Sequence, residues 1–353
     1  STHDTKRSED VRMRLDVLSE MPRPWAAQVM RWRRINRTRK RPLPDGRPVP
    51  DYNEEYLLYQ TLIGTWPVRM VNGSASAELP VEERAGYVGR IRQYMAKALH
   101  EAKVNLSWVN PDDDYMQLVN KFLDRILTPA SEARPNTFLK LLGSFVERTA
   151  YFGAINSLAQ TLIKINAPGV PDIYQGQELF DFSLVDPDNR RAVDFEKRRA
   201  SLDELSRRAD DPALLDELLR NWPDGRIKMW VTARALRCRQ SNLQLFQCGR
   251  YVPIHGAVEN ERHVLGFARI DGRALAITVV PRFPFTLAGG ELRPISGDLW
   301  GNAEIVLPVE ARNTELHNVL TNETLRVSGE HTLRAADVYR QFPVALLMNQ
   351  RGR

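Results

Sequence analysis

The chain has 353 residues, 42% hydrophobic and 27% charged, with a formal net charge of +6. That is enough apolar mass for two or three packed domains and too mixed a charge pattern for a disordered chain. No run of roughly 18 apolar residues implies a membrane-spanning helix, and no charged-then-apolar leader implies export. A first residue of Ser1 rather than Met reads as a segment excised from something longer. Cys238 and Cys248 are too few for a disulfide framework and fit no common zinc spacing. Two free thiols, a reducing compartment and a cytoplasmic location are the expectation.

Residues 1–10, STHDTKRSED, form a polar loop leading into a helix, because VRMRLDVLSEM places Val11, Leu15 and Leu18 at helical spacing. A second helix is predicted from about 25 to 38, then an irregular connection through Pro42, Pro44, Pro48 and Pro50. This helix overlaps the densest basic stretch, RWRRINRTRKR at 31–41. Arginines around Trp32 would suit a nucleic acid, with the indole stacking on bases. The simpler reading buries Trp25, Val29 and Trp32 on one helix face and leaves the arginines in water. No nucleic-acid motif accompanies them, so no nucleic-acid partner is expected. Trp25, Trp32, Tyr56 and Trp66 should then be more buried than the arginines between 31 and 41.

NEEYLLYQTLI, 53–63, opens with Asn53 as N-cap candidate and two acids before turning apolar. Further helices are predicted at 81–103, at 111–127 and along the apolar stretch 136–164. The segment NAPGVPDIYQG then ends a helix and predicts a short strand at 172–174. Helices follow at 194–208, 212–222 and about 226–240. After Cys248, runs such as HVLGFARI, RALAITVV and AEIVLPVE read as an antiparallel sandwich.

Three motifs carry chemistry: His3-Asp4 within THDTKRSEDVRMRL, PGVPDIYQG at 168–176, and SLVDPDNRRAVD at 183–194. In this order they resemble the maltooligosyl trehalose synthases of the α-amylase superfamily. There, a His-Asp pair ends the seventh barrel strand, Pro-Gly-x-Pro leads into the eighth, and the acidic-basic loop follows. Asp4 and Pro168 are 164 positions apart. One βα unit takes roughly 30 residues. The surplus is predicted helical, and the resemblance implies a large helical insertion at this place.

The resemblance therefore implies an α and β multidomain chain. Residues 1–20 would be a (β/α)8-barrel segment after strand seven, and 21–130 the helical insertion. Residues 131–240 would carry strand eight and its helices, and 241–353 an antiparallel β-sandwich domain. It also implies an intramolecular transglycosylase, a (1→4)-α-D-glucan 1-α-D-glucosylmutase. Such an enzyme turns the reducing-end α-1,4 linkage of a maltooligosaccharide into an α,α-1,1 linkage, in trehalose biosynthesis.

Retaining chemistry of this kind uses a carboxylate nucleophile and a carboxylic acid around an oxocarbenium-like transition state. In the family these lie on strands four and five, which have no counterpart here, so the chain alone is expected to be inactive. Its expected partners are a maltooligosaccharide and an N-terminal barrel segment of the same enzyme, without cofactor, metal or membrane. By resemblance, Asp4 stabilises the transition state and His3 donates to a hydroxyl of the same sugar. Lys6 and Arg7 would bind hydroxyls or neutralise carboxylates, or form structural salt bridges. Tyr174 would line the pocket or pack in the core. Asp188 and Arg190, with Asn189 and Arg191, lie in a loop at the catalytic face; they would bind substrate, or hold the loop together by its own charges. Glu178 and Asp181 are nearby acids without an assigned role. Two rival readings stand beside this one: a non-catalytic glucan-binding or scaffolding fragment, and another α-amylase-family hydrolase.

Overall fold

The computed structural model describes residues 1–129, 136–256 and 261–349, the side chains of 255, 256 and 261 excepted. They fall into two compact units: 2–150 with 182–191, and 151–181 with 192 onward. The boundary expected at 130/131 lies outside the described residues. Among the described residues, no helix is long and apolar enough to cross a membrane.

The first unit is helical: α1 (Glu9–Asp16), α2 (Pro22–Asn36), α3 (Tyr52–Thr65), α4 (Val81–Ala102), α5 (Asp113–Leu127) and the first half of α6 (Thr137–Asn166). Two small antiparallel hairpins join it, β1 (Arg41–Pro42) with β2 (Pro48–Val49) and β3 (Arg69–Val71) with β4 (Ser74–Ser76). The cap of α3 is Asp51, not the expected Asn53. Asp51 Oδ1 accepts from the Asn53 and Glu54 amides, both at 2.9 Å, and Glu54 Oε2 accepts from the Asp51 amide at 3.0 Å. This reciprocal box needs an acid three residues after the cap; Asn53 has Tyr56 there, whereas Asp51 has Glu54.

The core of this unit is aromatic. Trp32 is fully buried and lies edge-on to Tyr59, Phe138, Phe145 and Trp25, with ring centroids 5.2–5.9 Å apart. Edge-to-face packing sets ring hydrogens against π faces and adds to the burial of large apolar surfaces. Arg31, Arg34, Arg37 and Arg41 of the basic stretch are exposed, as expected, while Arg33, Arg39 and Lys40 pair with groups of the same core. Lys40 reaches the buried Glu55 at 2.7 Å, with Arg33 at 3.6 Å, and Tyr59 donates to Glu55 at 2.6 Å. Arg39 donates to the Arg125 carbonyl and to Asn136. Trp25, Trp32 and Trp66 are buried as expected, but Tyr56 is 38% exposed. Its hydroxyl accepts from Trp25 Nε1 at 2.9 Å, so it sits at the rim of the cluster.

The second unit joins the rest of α6 to α7 (Phe195–Arg207), α8 (Leu214–Arg220), α9 (Arg226–Ser241) and α10 (Leu243–Cys248), then to eight strands. These are β5 (Arg250–Gly256), β6 (Val264–Asp271), β7 (Ala274–Pro281), β8 (Glu304–Val306), β9 (Glu315–Asn318), β10 (Thr324–Arg326), β11 (Thr332–Arg334) and β12 (Ala345–Met348). Their order is β10-β9-β12-β7-β6-β5-β8-β11. The expected antiparallel pairing holds in every ladder, and the strands join in one sheet of eight. Gly272 at φ +56° starts the two-residue turn between β6 and β7, where a side chain would be strained. The central strands β7 and β12 are buried almost throughout, so both sheet faces are covered at the middle. Leu245 and Phe246 of α10 pack there against Ala276 and Met348.

Two side chains close the C-terminal end of α6. Arg239 donates to the Ile165 and Gly169 carbonyls at 2.6 and 2.5 Å, and the buried Arg269 to the Gly249 carbonyl at 2.8 Å and that of Asn166 at 3.5 Å. Cations here satisfy carbonyls that the helix leaves unpaired. Both cysteines are free, and burial pushes the Cys238 thiol up to about 11.

The strand expected at 172–174 does not form. This segment is extended and ends in a turn, Gln177 N to Tyr174 O at 3.0 Å, and none of the sheets among the described residues includes it. A barrel strand exists only through ladders to its neighbours, which sequence pattern alone cannot supply.

Replacing Trp32 should test the aromatic core directly. Trp32→Ala is expected to cost about 3–5 kcal/mol in chemical denaturation followed by far-ultraviolet circular dichroism. A loss below about 1 kcal/mol, the level of an ordinary surface change, would place the core elsewhere.

Candidate functional site

Within the first unit, the segment 182–191 is stitched to the start of the chain and to α4. Arg7 and Leu184 form an antiparallel bridge, and the Ser8 amide donates to the Ser183 carbonyl at 3.0 Å. The anchor is Asp188, whose side chain is only 9% exposed. Arg90 on α4 grips it side-on, Nε to Oδ1 and Nη2 to Oδ2, each at 2.8 Å, while Nη2 also donates to the Phe182 carbonyl at 2.9 Å. The Leu184 amide donates to Oδ2 at 2.8 Å, and Arg191 Nε lies 3.1 Å from Oδ1. Burial pulls the Asp188 carboxyl upward, but the hydrogen bonds and charge of Arg90, with the Leu184 amide and Arg191, hold it below the ordinary aspartate range.

Beneath this loop lies Arg14 of α1, fully buried. Its guanidinium stacks 3.6 Å from the centre of the Phe182 ring and donates to the Trp66 carbonyl at 2.6 Å. Burial pushes its pKa down to about 9, against the opposing charge of Asp10.

The loop in turn holds His3. Asn189 Nδ2 donates to the His3 carbonyl at 2.9 Å, so two of the sequence motifs meet in one unit. His3 Nε2 stands 3.3 Å from Asp4 Oδ2, with the two side chains 50% and 85% exposed. A turn underneath fixes the backbone, Thr2 N to Thr5 Oγ1 at 2.9 Å and Thr5 N to Thr2 O at 3.2 Å. An exposed acid beside a histidine, on a braced backbone, can take hydrogen bonds from a ligand's hydroxyls.

The other predicted residues separate. Lys6 donates to Glu101 at the end of α4 at 2.7 Å, which raises the lysine pKa and lowers that of the glutamate. Arg7 has Nε and Nη2 buried without a hydrogen-bond partner among the described residues. Arg190 pairs with Asp186, four residues back, at 2.8 Å. Tyr174 belongs to the second unit and is half-buried there. Glu178, also in that unit, accepts from Arg198 at 3.1 Å.

Arg90 and Glu101 escaped the sequence reading. Their partners lie 98 and 95 positions away, and nothing local distinguishes them from other charges on an amphipathic helix. Among the described residues, no group of three His, Cys, Asp or Glu side chains could hold a metal ion. Two cavities, of about 540 and 500 Å³, are lined by none of the predicted site residues; the larger lies against Tyr151, Trp222 and Phe342 in the second unit.

Comparison with known proteins accounts for these motifs as a set. The whole fold matches maltooligosyltrehalose synthase from Arthrobacter ramosus with a TM-score of 0.71 at 30% identity, covering 99% of this chain and 38% of that one. A second solved maltooligosyl trehalose synthase gives a TM-score of 0.71 at 27% identity, covering 99% of this chain and 39% of that chain. In sequence, chains assigned as maltooligosyl trehalose synthase in Mycobacterium tuberculosis strains CDC 1551 and H37Rv are 36% identical over 278 residues. That match takes in 79% of this chain and 30% of the relatives. No protein-family model matches. The chain is thus of the mixed helix-and-sheet architecture shared with these synthases. It belongs with the maltooligosyl trehalose synthases, of whose length it spans about a third.

The Asp188 clasp carries a pH signature. Its folded pKa lies below the unfolded value of about 3.9, so its stabilisation is complete above that value and is lost as pH falls through the lower, folded pKa. Asp188→Asn should therefore destabilise by about 3 kcal/mol at neutral pH and by progressively less below about pH 4. Denaturant melts of both proteins across pH 2–7 check it; a pH-independent difference would mean that the charge is not what matters.

Proposed function

We propose that this chain forms part of a (1→4)-α-D-glucan 1-α-D-glucosylmutase of the α-amylase superfamily. It acts in trehalose biosynthesis on maltooligosaccharides, in the cytoplasm, together with an upstream barrel portion of the same enzyme. The observation that carries the reading is the joining of the exposed His3-Asp4 pair to the 182–191 loop through Asn189, with Arg90 and Asp188 holding that loop. In this reading residues 1–20 and 131–240 are barrel segments around the helical insertion 21–130, and 241–353 is the β-domain.

The chemistry exchanges one glycosidic bond for another. A carboxylate nucleophile displaces the reducing-end glucose, whose anomeric hydroxyl then attacks the glycosyl-enzyme, so no organic cofactor or metal is required. Both the nucleophile and the general acid come from the upstream portion. Asp4 accepts hydrogen bonds from ring hydroxyls of the reacting sugar, and these strengthen as the ring flattens and charge develops. His3 donates to a hydroxyl of that same sugar. Lys6, Arg7, Tyr174 and Arg190 serve substrate binding in this reading, where a planar guanidinium can bridge two hydroxyls. Asp188 is better read as the clasp of the loop, because both of its oxygens are already engaged.

Two measurements test this. The purified chain, incubated with maltopentaose, should leave the reducing ends intact; their loss without any upstream portion would overturn the assignment of catalytic residues. In the complete enzyme, Asp4→Asn should lower turnover roughly 10²–10³-fold, the scale of removing one preorganised charge-stabilising group. Glucan affinity should change far less, and an equal effect on both would remove Asp4 from the transition state.

A further inference from the structure

One face of α4 meets both segments that carry the candidate site. Arg90, Lys97 and Glu101 follow one another after two turns and then one turn, which sets them along a single line of the helix. Arg90 takes the Asp188 carboxylate and the Phe182 carbonyl. Lys97 holds the same loop two residues before Asp188, its Nζ donating to the Asp186 carbonyl at 2.8 Å. Glu101 serves the other segment, accepting from Lys6 at 2.7 Å. Lys97 and Glu101 stand 4.0 Å from each other, so the two arms leave the helix side by side.

Each arm ends beside a group with a part in the proposed chemistry. The carbonyl that Lys97 holds belongs to Asp186, whose carboxylate pairs with Arg190 at 2.8 Å. A backbone fixed at 186 therefore fixes where the Arg190 guanidinium stands. On the other arm, Lys6 lies two residues from Asp4, and the charges of both Asp4 and Glu101 act on its ammonium. While Glu101 tethers Lys6, the oxygens of Asp4 stay available to a ligand's hydroxyls. Freed from Glu101, the ammonium would turn to Asp4, the other carboxylate it feels. The Lys6–Glu101 pair is open to solvent and adds little to stability. What it decides is which acid the lysine occupies.

We propose that Lys97 and Glu101 are positioning residues of the transglycosylation, Lys97 acting through Asp186 on Arg190 and Glu101 acting through Lys6 on Asp4. Neither touches the sugar. The inference rests on the roles proposed above for Arg190 in substrate binding and for Asp4 in the transition state. It makes the arms kinetically distinct: the Lys97 arm governs affinity, and the Glu101 arm governs turnover.

The test is steady-state kinetics of the complete enzyme on maltopentaose, with thermal melts to confirm folding. Lys97→Met should raise KM about tenfold, the scale of a lost charged hydrogen bond, with kcat nearly unchanged, and Lys97→Arg should restore it. Glu101→Gln should lower kcat about threefold, the scale of an exposed ion pair, with KM nearly unchanged. Double variants show whether each residue acts through its stated partner. Lys97→Met should raise KM no further once Arg190→Ala is present, and Glu101→Gln should cost nothing more in a Lys6→Met background. Full additivity in either pair overturns the inference, as does a shift of KM and kcat together in both single variants. Lower melting temperatures with parental kinetics would make both residues merely structural, and overturn it too. Failure of the wider reading registers separately, as an unchanged turnover in Asp4→Asn, a measurement that leaves α4 intact.

Discussion

The grip of Arg90 on Asp188 is the interaction on which the geometry of the candidate site depends. It joins positions 98 residues apart, and everything between 182 and 191 takes its place from it. A buried ion pair of this kind adds little net stability, because desolvating both groups offsets most of their attraction. What it supplies is uniqueness. A planar guanidinium meeting a carboxylate side-on, with an amide filling the remaining lone pair, permits one arrangement and penalises others. The loop so held then lends Asn189 to the His3 carbonyl, and the backbone of the exposed pair becomes as fixed as the helix behind it.

That rigidity suits the role proposed for Asp4, which is to recognise charge as it forms. Asp4 gains catalytic value only if it does not move when a sugar distorts, since reorganising a floppy acid would consume the energy it offers. The side chains themselves stay in water, while the start of the bracing loop is held from within, by buried Arg14 stacked on Phe182. The helical layer around Trp32 serves the same end at longer range: it fixes α2, α3 and α6 together through rings that tolerate few packings.

Much of this was legible beforehand, and the exceptions have a common cause. The helix predicted at 81–103 is Val81–Ala102, because its apolar spacing and its acidic start are both local signals. The tryptophans of α2 announced their burial by falling with Val29 at i, i+4 and i+7. Tyr56 did not, since one turn of spacing cannot distinguish the middle of a cluster from its rim. The strand at 172–174 failed for a different reason: proline, glycine and β-branched residues describe a segment willing to be extended, while a ladder needs a neighbour that no local pattern contains. The clasp belongs to the same class. DPDNRR announces charges in a loop, but not that an arginine on α4 will take the second aspartate. The His-Asp pair was visible through resemblance, and the loop that braces it only through coordinates.

The end of α6 shows what kind of constraint two arginines can represent. Arg239 and Arg269 are held almost wholly by backbone carbonyls, which are neutral and present at every residue. Their value lies in the number and spread of their N–H groups, not in charge: one guanidinium reaches carbonyls of Ile165 and Gly169 together. Lysine would keep the charge and lose the span, so charge-conserving replacement would be poorly tolerated at both places. A neutral side chain with several divergent donors would come nearer to filling the role than a cation with one.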